Sequence, residues 1–284
     1  MKVVVTGAEG FVGPHVVRTL QAAGHEVVPL TFRDHDLTVS WPDVGPVDGI
    51  VHLAGLSAVG PSFDDPQRYI DVNSTMVTHL FEALVAADAK TRVLVVSSGA
   101  VYGSGEGRPI DEHTRLDITS PYVVSKLLVE TQVAYYRRRG IDALVARPFN
   151  HIGPGQGPGF IVPDLAARLR ALPDGDELTT GNLDASRDYT DVRDVARAYL
   201  ALLELPDPRH GIYNVASGTP HTGHDVLAAL CQALGRDVPP TRQERTRAVD
   251  PTAVTGNATR LREDTGWHPE IPFDQSIHDF VAGG

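Results

Sequence analysis

Short β-branched apolar runs alternate with amphipathic stretches over the first two-thirds of the chain. That rhythm predicts a parallel sheet with helices on both faces. Residues 2–6, 26–31, 49–53, 92–97 and 143–147 read as strands, and 213–216 as a further one. Apolar residues recur at helical spacing over about 11–23, 64–88, 121–139 and 191–204. Only 17 residues separate the second strand from the third. A full crossover helix does not fit there, so this part of the sheet is expected to be abbreviated. From Pro148 the pattern breaks into a glycine- and proline-rich loop, followed by a helix over 161–172 and a polar loop. The remainder predicts one clear helix at 222–234, a Pro-Pro break at 239–240 and a polar tail.

Between the first strand and the first helix stands Thr6-Gly7-Ala8-Glu9-Gly10-Phe11-Val12-Gly13. Glycines in this G-x-x-G-x-x-G spacing let the chain turn tightly, approach a pyrophosphate and pack helix on strand. The helix N-terminus then offers free N–H groups to phosphate oxygens. The expected class is therefore α/β, a Rossmann-like doubly wound parallel sheet. Residues 1–148, completed by about 188–216, form its dinucleotide-binding core. Residues 149–187 and 217–284 form a smaller, discontinuous substrate-binding part. An acid at the tip of the second strand would bind an adenosine ribose and repel a 2′-phosphate. The tip here reads Pro29-Leu30-Thr31-Phe32-Arg33, with arginine and no acid. NADP(H) is the expected cofactor, with NAD(H) as the alternative because Asp34 follows Arg33.

The 284-residue chain has 42% apolar and 21% charged residues, an ordinary globular balance. Its net charge of −11 argues against nucleic acid or an anionic membrane as partner. An anionic ligand must then be held by local arginines. The N-terminus lacks the apolar stretch and cleavage site of a signal peptide. A single cysteine, Cys231, suits a reducing compartment, so a cytoplasmic location is expected. Of the 25 basic residues only Lys2, Lys90 and Lys126 are lysines. A lysine inside a catalytic spacing therefore carries more weight.

Lys126 sits in such a spacing. Ser97-Ser98-Gly99-Ala100-Val101-Tyr102 closes the fourth strand, and Tyr122-Val-Val-Ser-Lys126 begins 24 residues after Ser98. Ser120 suits an N-cap and Pro121 a first turn, so Tyr122 and Lys126 fall one turn apart on one helix face. A neighbouring ammonium is expected to draw the tyrosine pKa down towards the working range. Ser98 can hold the same substrate oxygen and stabilise charge developing on it. Ser98, Tyr122 and Lys126 are the catalytic candidates for an alcohol/ketone couple whose hydride is carried by nicotinamide. No metal is expected.

The glycine loop, the Ser-Ser strand end and the Tyr/Lys pair resemble the extended short-chain dehydrogenases/reductases, the NAD-dependent epimerase/dehydratase family. Further similar blocks are Arg147-Pro148-Phe149-Asn150-His151, Ser186-Arg187-Asp188-Tyr189, Tyr213-Asn214-Val215-Ala216 and Gly266-Trp267-His268-Pro269. The resemblance implies cofactor contacts from Gly7, Gly10, Phe11, Val12, Gly13, Arg33, Asp36, Leu37, Leu53, Ala54, Gly55, Tyr122 and Lys126. It gives Asn73 a place near the active site. It implies substrate contacts from Ser98, with Asn150, Arg187 and Arg247 on the diphosphate of a nucleotide-diphosphate sugar. Planar guanidinium groups suit bidentate phosphate contact. Arg187 is expected in a loop ahead of the helix near 191, and a homodimer through helices 64–88 and 121–139 is implied.

Within the family the similarity is greatest to reductases of GDP-linked 4-keto-6-deoxy sugars. The implied reaction is NADPH-dependent reduction of the C4 ketone. A dehydratase needs an acid just after Ser98, and Gly99-Ala100 has none. A nucleotide-sugar 4-epimerase is the alternative, and a non-catalytic nucleotide-binding sensor or scaffold the second.

Overall fold

A computed structural model describes residues 1–104, 107–244 and 253–283. The chain begins β1 (Lys2–Thr6), α1 (Gly13–Ala22), β2 (Glu26–Leu30), β3 (Gly49–His52), α2 (Pro66–Ala86), β4 (Arg92–Val96), α3 (Pro121–Arg138) and β5 (Ala143–Pro148). It continues β6 (Asn150–Ile152), α4 (Ile161–Ala171), β7 (Leu178–Thr180), β8 (Ser186–Asp191), α5 (Val192–Glu204) and β9 (Ile212–Val215). The last elements are β10 (Pro220–Thr222), α6 (Gly223–Leu234), β11 (Thr241–Gln243), β12 (Ala253–Val254), α7 (Thr259–Thr265) and α8 (Phe273–Ala282).

The six strands read from the sequence form one parallel sheet, ordered β2-β1-β3-β4-β5-β9. Because the central strands carry apolar residues at consecutive positions, both faces bury. Val3 and Val5 enter the cluster with α1 and α5, while Val4 enters the one with α2 and α3. β1 lies between β2 and β3, and the 18 residues linking β2 to β3 form neither helix nor strand, as the short spacing requires. The chain leaves β1 towards one side and later returns to the other, which opens a crevice at the strands' C-terminal ends.

The second part is built otherwise than expected. β8 pairs with β6, β10 and β12 in a small sheet, so Arg187 lies in a strand and not in a loop. Strands this short, with alternating charge, carry no periodic signal. The polar tail contains α7 and α8, which the sequence pattern did not announce. Each buries few apolar residues, Leu261 in α7 and Ile277 with Phe280 in α8. Ile277 and Phe280 join Ile152, Leu165, Leu169, Tyr189, Val226 and Leu230 in a separate apolar cluster. Cys231 lies buried on α6 in that cluster, as a small apolar side chain. Among the described residues no helix is long and apolar enough to cross a membrane.

Candidate active site

The glycine loop is shaped by close approach. Gly7 has φ +64°, and a Cβ on it would lie 2.9 Å from the Ala54 nitrogen. At Gly13 a Cβ would fall 2.4 Å from the Ala8 carbonyl oxygen, so only glycine lets α1 pack onto the turn. A Cβ on Gly10 would sit 3.3 Å from the Gly7 carbonyl. Val12 at the N-cap provides no side-chain cap, which leaves the α1 terminus open to an anion. This cradle fits a dinucleotide's pyrophosphate. The Leu53-Ala54-Gly55 loop lies against it, with the Ala54 N–H donating to Thr6 Oγ1 at 3.1 Å.

At the end of β2, Arg33 is exposed. Asp34 is turned back onto Thr31, accepting from its N–H at 2.9 Å and its hydroxyl at 2.6 Å. Those bonds hold the Asp34 carboxyl below its ordinary range. Asp36 likewise accepts from the Thr38 N–H and hydroxyl. Leu37 is buried among the α2 side chains of the core, so its side chain serves packing first.

The proton-handling groups converge from β4 and α3. Ser120 caps α3, accepting from the Val123 N–H at 3.2 Å. One turn along, Tyr122 and Lys126 are buried, at 6% and 7% exposure. The Ser98 side chain stands near enough to the Tyr122 phenol to oppose the rise of its pKa, across 24 residues of sequence. Ser98 Oγ also accepts from the Ala100 N–H at 3.1 Å. The Lys126 ammonium donates to the Val96 carbonyl at 2.9 Å and stands 5.9 Å from the Tyr122 ring centre.

The electrostatics differ from the expectation that Lys126 pulls Tyr122 down. Burial pushes the Tyr122 phenol up to about 12, with the nearby Ser98 side chain opposing. Burial takes Lys126 down to about 8, opposed by Glu130. Desolvation outweighs the pair's mutual field, and Tyr122 stands as a neutral phenol, the form a proton donor needs. Asn73 braces the surroundings. It donates to Ser125 Oγ at 2.9 Å and to the Leu56 carbonyl at 3.2 Å, and accepts from the Leu56 N–H at 2.8 Å.

On the other side of the crevice, β6 and β8 pair in parallel with Asn150 opposite Tyr189. Arg187 is two residues along β8 from Tyr189, so Asn150 and Arg187 share one face of the small sheet. Asp188 pins β8 there, accepting from the Ser217, Gly218 and Gly256 N–H groups at 2.8–3.0 Å. Arg247 lies outside the described residues. Position 99 is tight, since a Cβ there would meet the Phe149 ring at 3.0 Å and that ring would have to give way.

The comparisons with known proteins agree with this geometry. Residues 3–216 match the model of the NAD dependent epimerase/dehydratase family. The chain belongs to that family. It is 35% identical to the GDP-6-deoxy-D-mannose reductase of Pseudomonas aeruginosa, over 98% of this chain and 95% of the relative. The solved structure of RMD from Pseudomonas aeruginosa complexed with NADPH superposes with a TM-score of 0.88 at 35% identity, covering 99% of this chain and 98% of that one. The UDP-glucose 4-epimerase of Thermus thermophilus in complex with NAD superposes with a TM-score of 0.87 at 29% identity, covering 100% and 98%.

Two features of this epimerase/dehydratase chain escaped the sequence reading. Glu130 follows Lys126 by one turn and is buried beneath the site. It accepts from Ser97 Oγ at 2.5 Å and from both Arg147 Nε and Nη2, while Arg147 Nη1 donates to the Tyr102 hydroxyl at 2.7 Å. The signal was a polar stripe, Tyr122-Lys126-Glu130, at i, i+4 and i+8. The second is a clasp between the two binding loops. The Phe11 ring stacks on His151 at 5.8 Å, and His15 Nε2 donates to the Pro154 carbonyl at 2.9 Å.

Lys126 also yields a stability prediction. Its folded pKa, about 8, lies below the ordinary 10.5, so the unfolded chain binds more protons between these values. Folding stability then rises with pH across that window, and the desolvation cost is fully present below it. Lys126→Met should abolish turnover while removing that cost, against the loss of about 1 kcal/mol for the Val96 hydrogen bond. Denaturant melts at about pH 7 and about pH 10 should show the variant faring better, relative to wild type, at the lower pH. A difference independent of pH would overturn the argument.

Proposed function

We propose that this chain is an NADPH-dependent 4-ketoreductase of a nucleotide-linked 4-keto-6-deoxy sugar, converting GDP-4-keto-6-deoxy-D-mannose to GDP-D-rhamnose. The observation that carries the reading is the neutral, buried Tyr122 hydroxyl beside Ser98 and one helical turn from Lys126, in a chain whose glycine loop leads into an uncapped α1. When bound, the cofactor supplies the hydride that reaches C4. Tyr122 passes its proton to the C4 oxygen, so the ketone becomes a secondary alcohol. Ser98 holds that oxygen as charge develops, and Lys126 stabilises the phenolate left behind. Gly7, Gly10, Phe11, Val12 and Gly13 take the pyrophosphate, with Leu53, Ala54 and Gly55 beneath the cofactor and Arg33, Asp36 and Leu37 at its adenosine end. Tyr122 and Lys126 also contact the cofactor. Asn150, Arg187 and Arg247 take the sugar nucleotide's diphosphate.

Residues 1–148 with about 188–216 serve as the cofactor core in this reading, and 149–187 with 217–284 as the substrate part. A separate apolar cluster built mainly from the latter supports the division, with Tyr189 of β8 joining it and Leu261 and Trp267 packing instead against the core. The protein is cytoplasmic and a homodimer through α2 and α3. The exposed Val124 and Leu128, one turn apart on α3, support that interface. A nucleotide-sugar 4-epimerase is the second reading, favoured by the likeness to the NAD-complexed epimerase. The test is incubation with NADPH and a panel of 4-keto-6-deoxy sugar nucleotides, with products identified by NMR. Stoichiometric NADPH consumption supports the reductase; turnover on tightly retained NAD without added cofactor supports the epimerase.

Arg187 tests the substrate class. The net charge of −11 opposes a pyrophosphate, so local guanidinium groups must hold it. Arg187→Ala should raise the substrate KM at least ~10-fold with a smaller fall in kcat, because the diphosphate is bound alike in ground and transition states. Lysine there should rescue only in part. Unchanged KM with weakened NADPH binding would move Arg187 to the cofactor site.

A further inference from the structure

The adenosine end of the crevice holds a carboxylate that does not come from β2. Glu9, in the glycine loop, reaches across and accepts the Phe32 N–H at 2.7 Å through Oε1. Phe32 lies two residues beyond the end of β2. The main chains are joined beside it, with the Ala8 N–H donating to the Leu30 carbonyl at 3.3 Å. Glu9 is therefore held at the tip of the second strand. In doubly wound folds an acid there accepts the ribose 2′-hydroxyl and repels a 2′-phosphate.

The other two charges near the tip are disposed differently. Asp34 has both its bonds on Thr31, through one oxygen, and is committed to the turn. Arg33 is exposed immediately after Phe32. We infer that Glu9 is a cofactor-selectivity residue, a carboxylate delivered from the glycine loop that acts against Arg33 and keeps the preference for a 2′-phosphorylated dinucleotide small. Arg33 attracts the 2′-phosphate; Glu9 repels it and offers an acceptor to a free 2′-hydroxyl. This rests on the cofactor reading above. The chain therefore accepts both NADPH and NADH, with a narrower gap between them than Arg33 alone would give.

Glu9→Gln isolates the charge. The glutamine amide oxygen can still accept the Phe32 N–H, and the exposed position tolerates the nearly isosteric change. The experiment titrates NADPH and NADH separately into wild type, Glu9→Gln and Arg33→Ala without substrate, by nucleotide fluorescence, at low and high salt. One unit charge facing a phosphate through solvent is worth roughly a five-fold change in affinity. Glu9→Gln should tighten NADPH by about that factor, with NADH unchanged or weaker, and the gain should shrink at high salt. An unchanged NADPH-to-NADH ratio in Glu9→Gln, at low salt, overturns the inference and leaves Glu9 as a backbone cap. The cofactor reading fails separately, if wild type binds NADH more tightly than NADPH and Arg33→Ala leaves NADPH binding unaltered.

Discussion

Replacing Tyr122 by phenylalanine is expected to lower kcat by about 10²–10⁴-fold, the usual contribution of a positioned general acid. The change removes one hydroxyl from a helix face fixed by the Ser120 cap and packed edge-on against Tyr69 at 6.5 Å. The ring stays, so the fold and the cofactor cradle should persist. The phenol is pushed up to about 12 by burial and is fully protonated at neutral pH. It stands beside the Ser98 side chain, whose Oγ accepts from the Ala100 N–H. Its loss therefore leaves the C4 oxygen with the serine donor and no proton source of matched position. Single-turnover kinetics with NADPH already bound, beside a NADPH titration, separates chemistry from binding. A variant that keeps more than about half of wild-type turnover would assign the proton to another group and sink the mechanism.

Glu130→Ala should have the largest effect on stability. Glu130 and Arg147 form an ion pair at 2.5 Å with side chains only 7% and 4% exposed. Removing one partner of a buried pair strands the other charge, at a cost of about 3–5 kcal/mol. Ser97 and Tyr102 lose order in the same step, because both bond into the pair. Tyr102 in turn donates to Asn214 Oδ1 at 2.8 Å, which ties β9 to the segment after β4. In a protein of this size the loss corresponds to a fall in Tm on the order of 10 °C. Replacing both partners with apolar residues, Glu130→Leu with Arg147→Met, should recover much of it, since no buried charge remains unpaired. Thermal and denaturant melts of the two variants decide this. A fall below about 1 kcal/mol in Glu130→Ala would show that the pair is not a keystone of the core.

The extent to which these groups were legible varies with the reach of the interaction. Each strand of the parallel sheet announced itself by its own run of apolar residues. The glycine loop did so by its glycine spacing within eight residues, and the Ser120 cap by chemistry confined to one turn. The Tyr122 and Lys126 pairing depends only on helical periodicity, so it too was visible. The pattern predicts a loop at Arg187 because β8 is short and charged. Its strand character comes from three partners, β6, β10 and β12, distant in sequence. α7 and α8 were hidden for a like reason, since Leu261, Ile277 and Phe280 find most of their apolar partners in distant segments.

The amino-acid sequence by itself determined the α/β class, the parallel sheet and the residue types available for proton transfer and phosphate contact. These follow from period, spacing and turn chemistry, all local properties of a chain. Tertiary structure alone decided which of those residues meet. It brought Ser98 to Tyr122, set Glu130 under Lys126 against Arg147, and laid Glu9 across the end of β2. It also decided their charge states. Burial overrode the attraction expected between Lys126 and Tyr122, because the cost of desolvating a charge depends on everything packed around it and not on the neighbour one turn away.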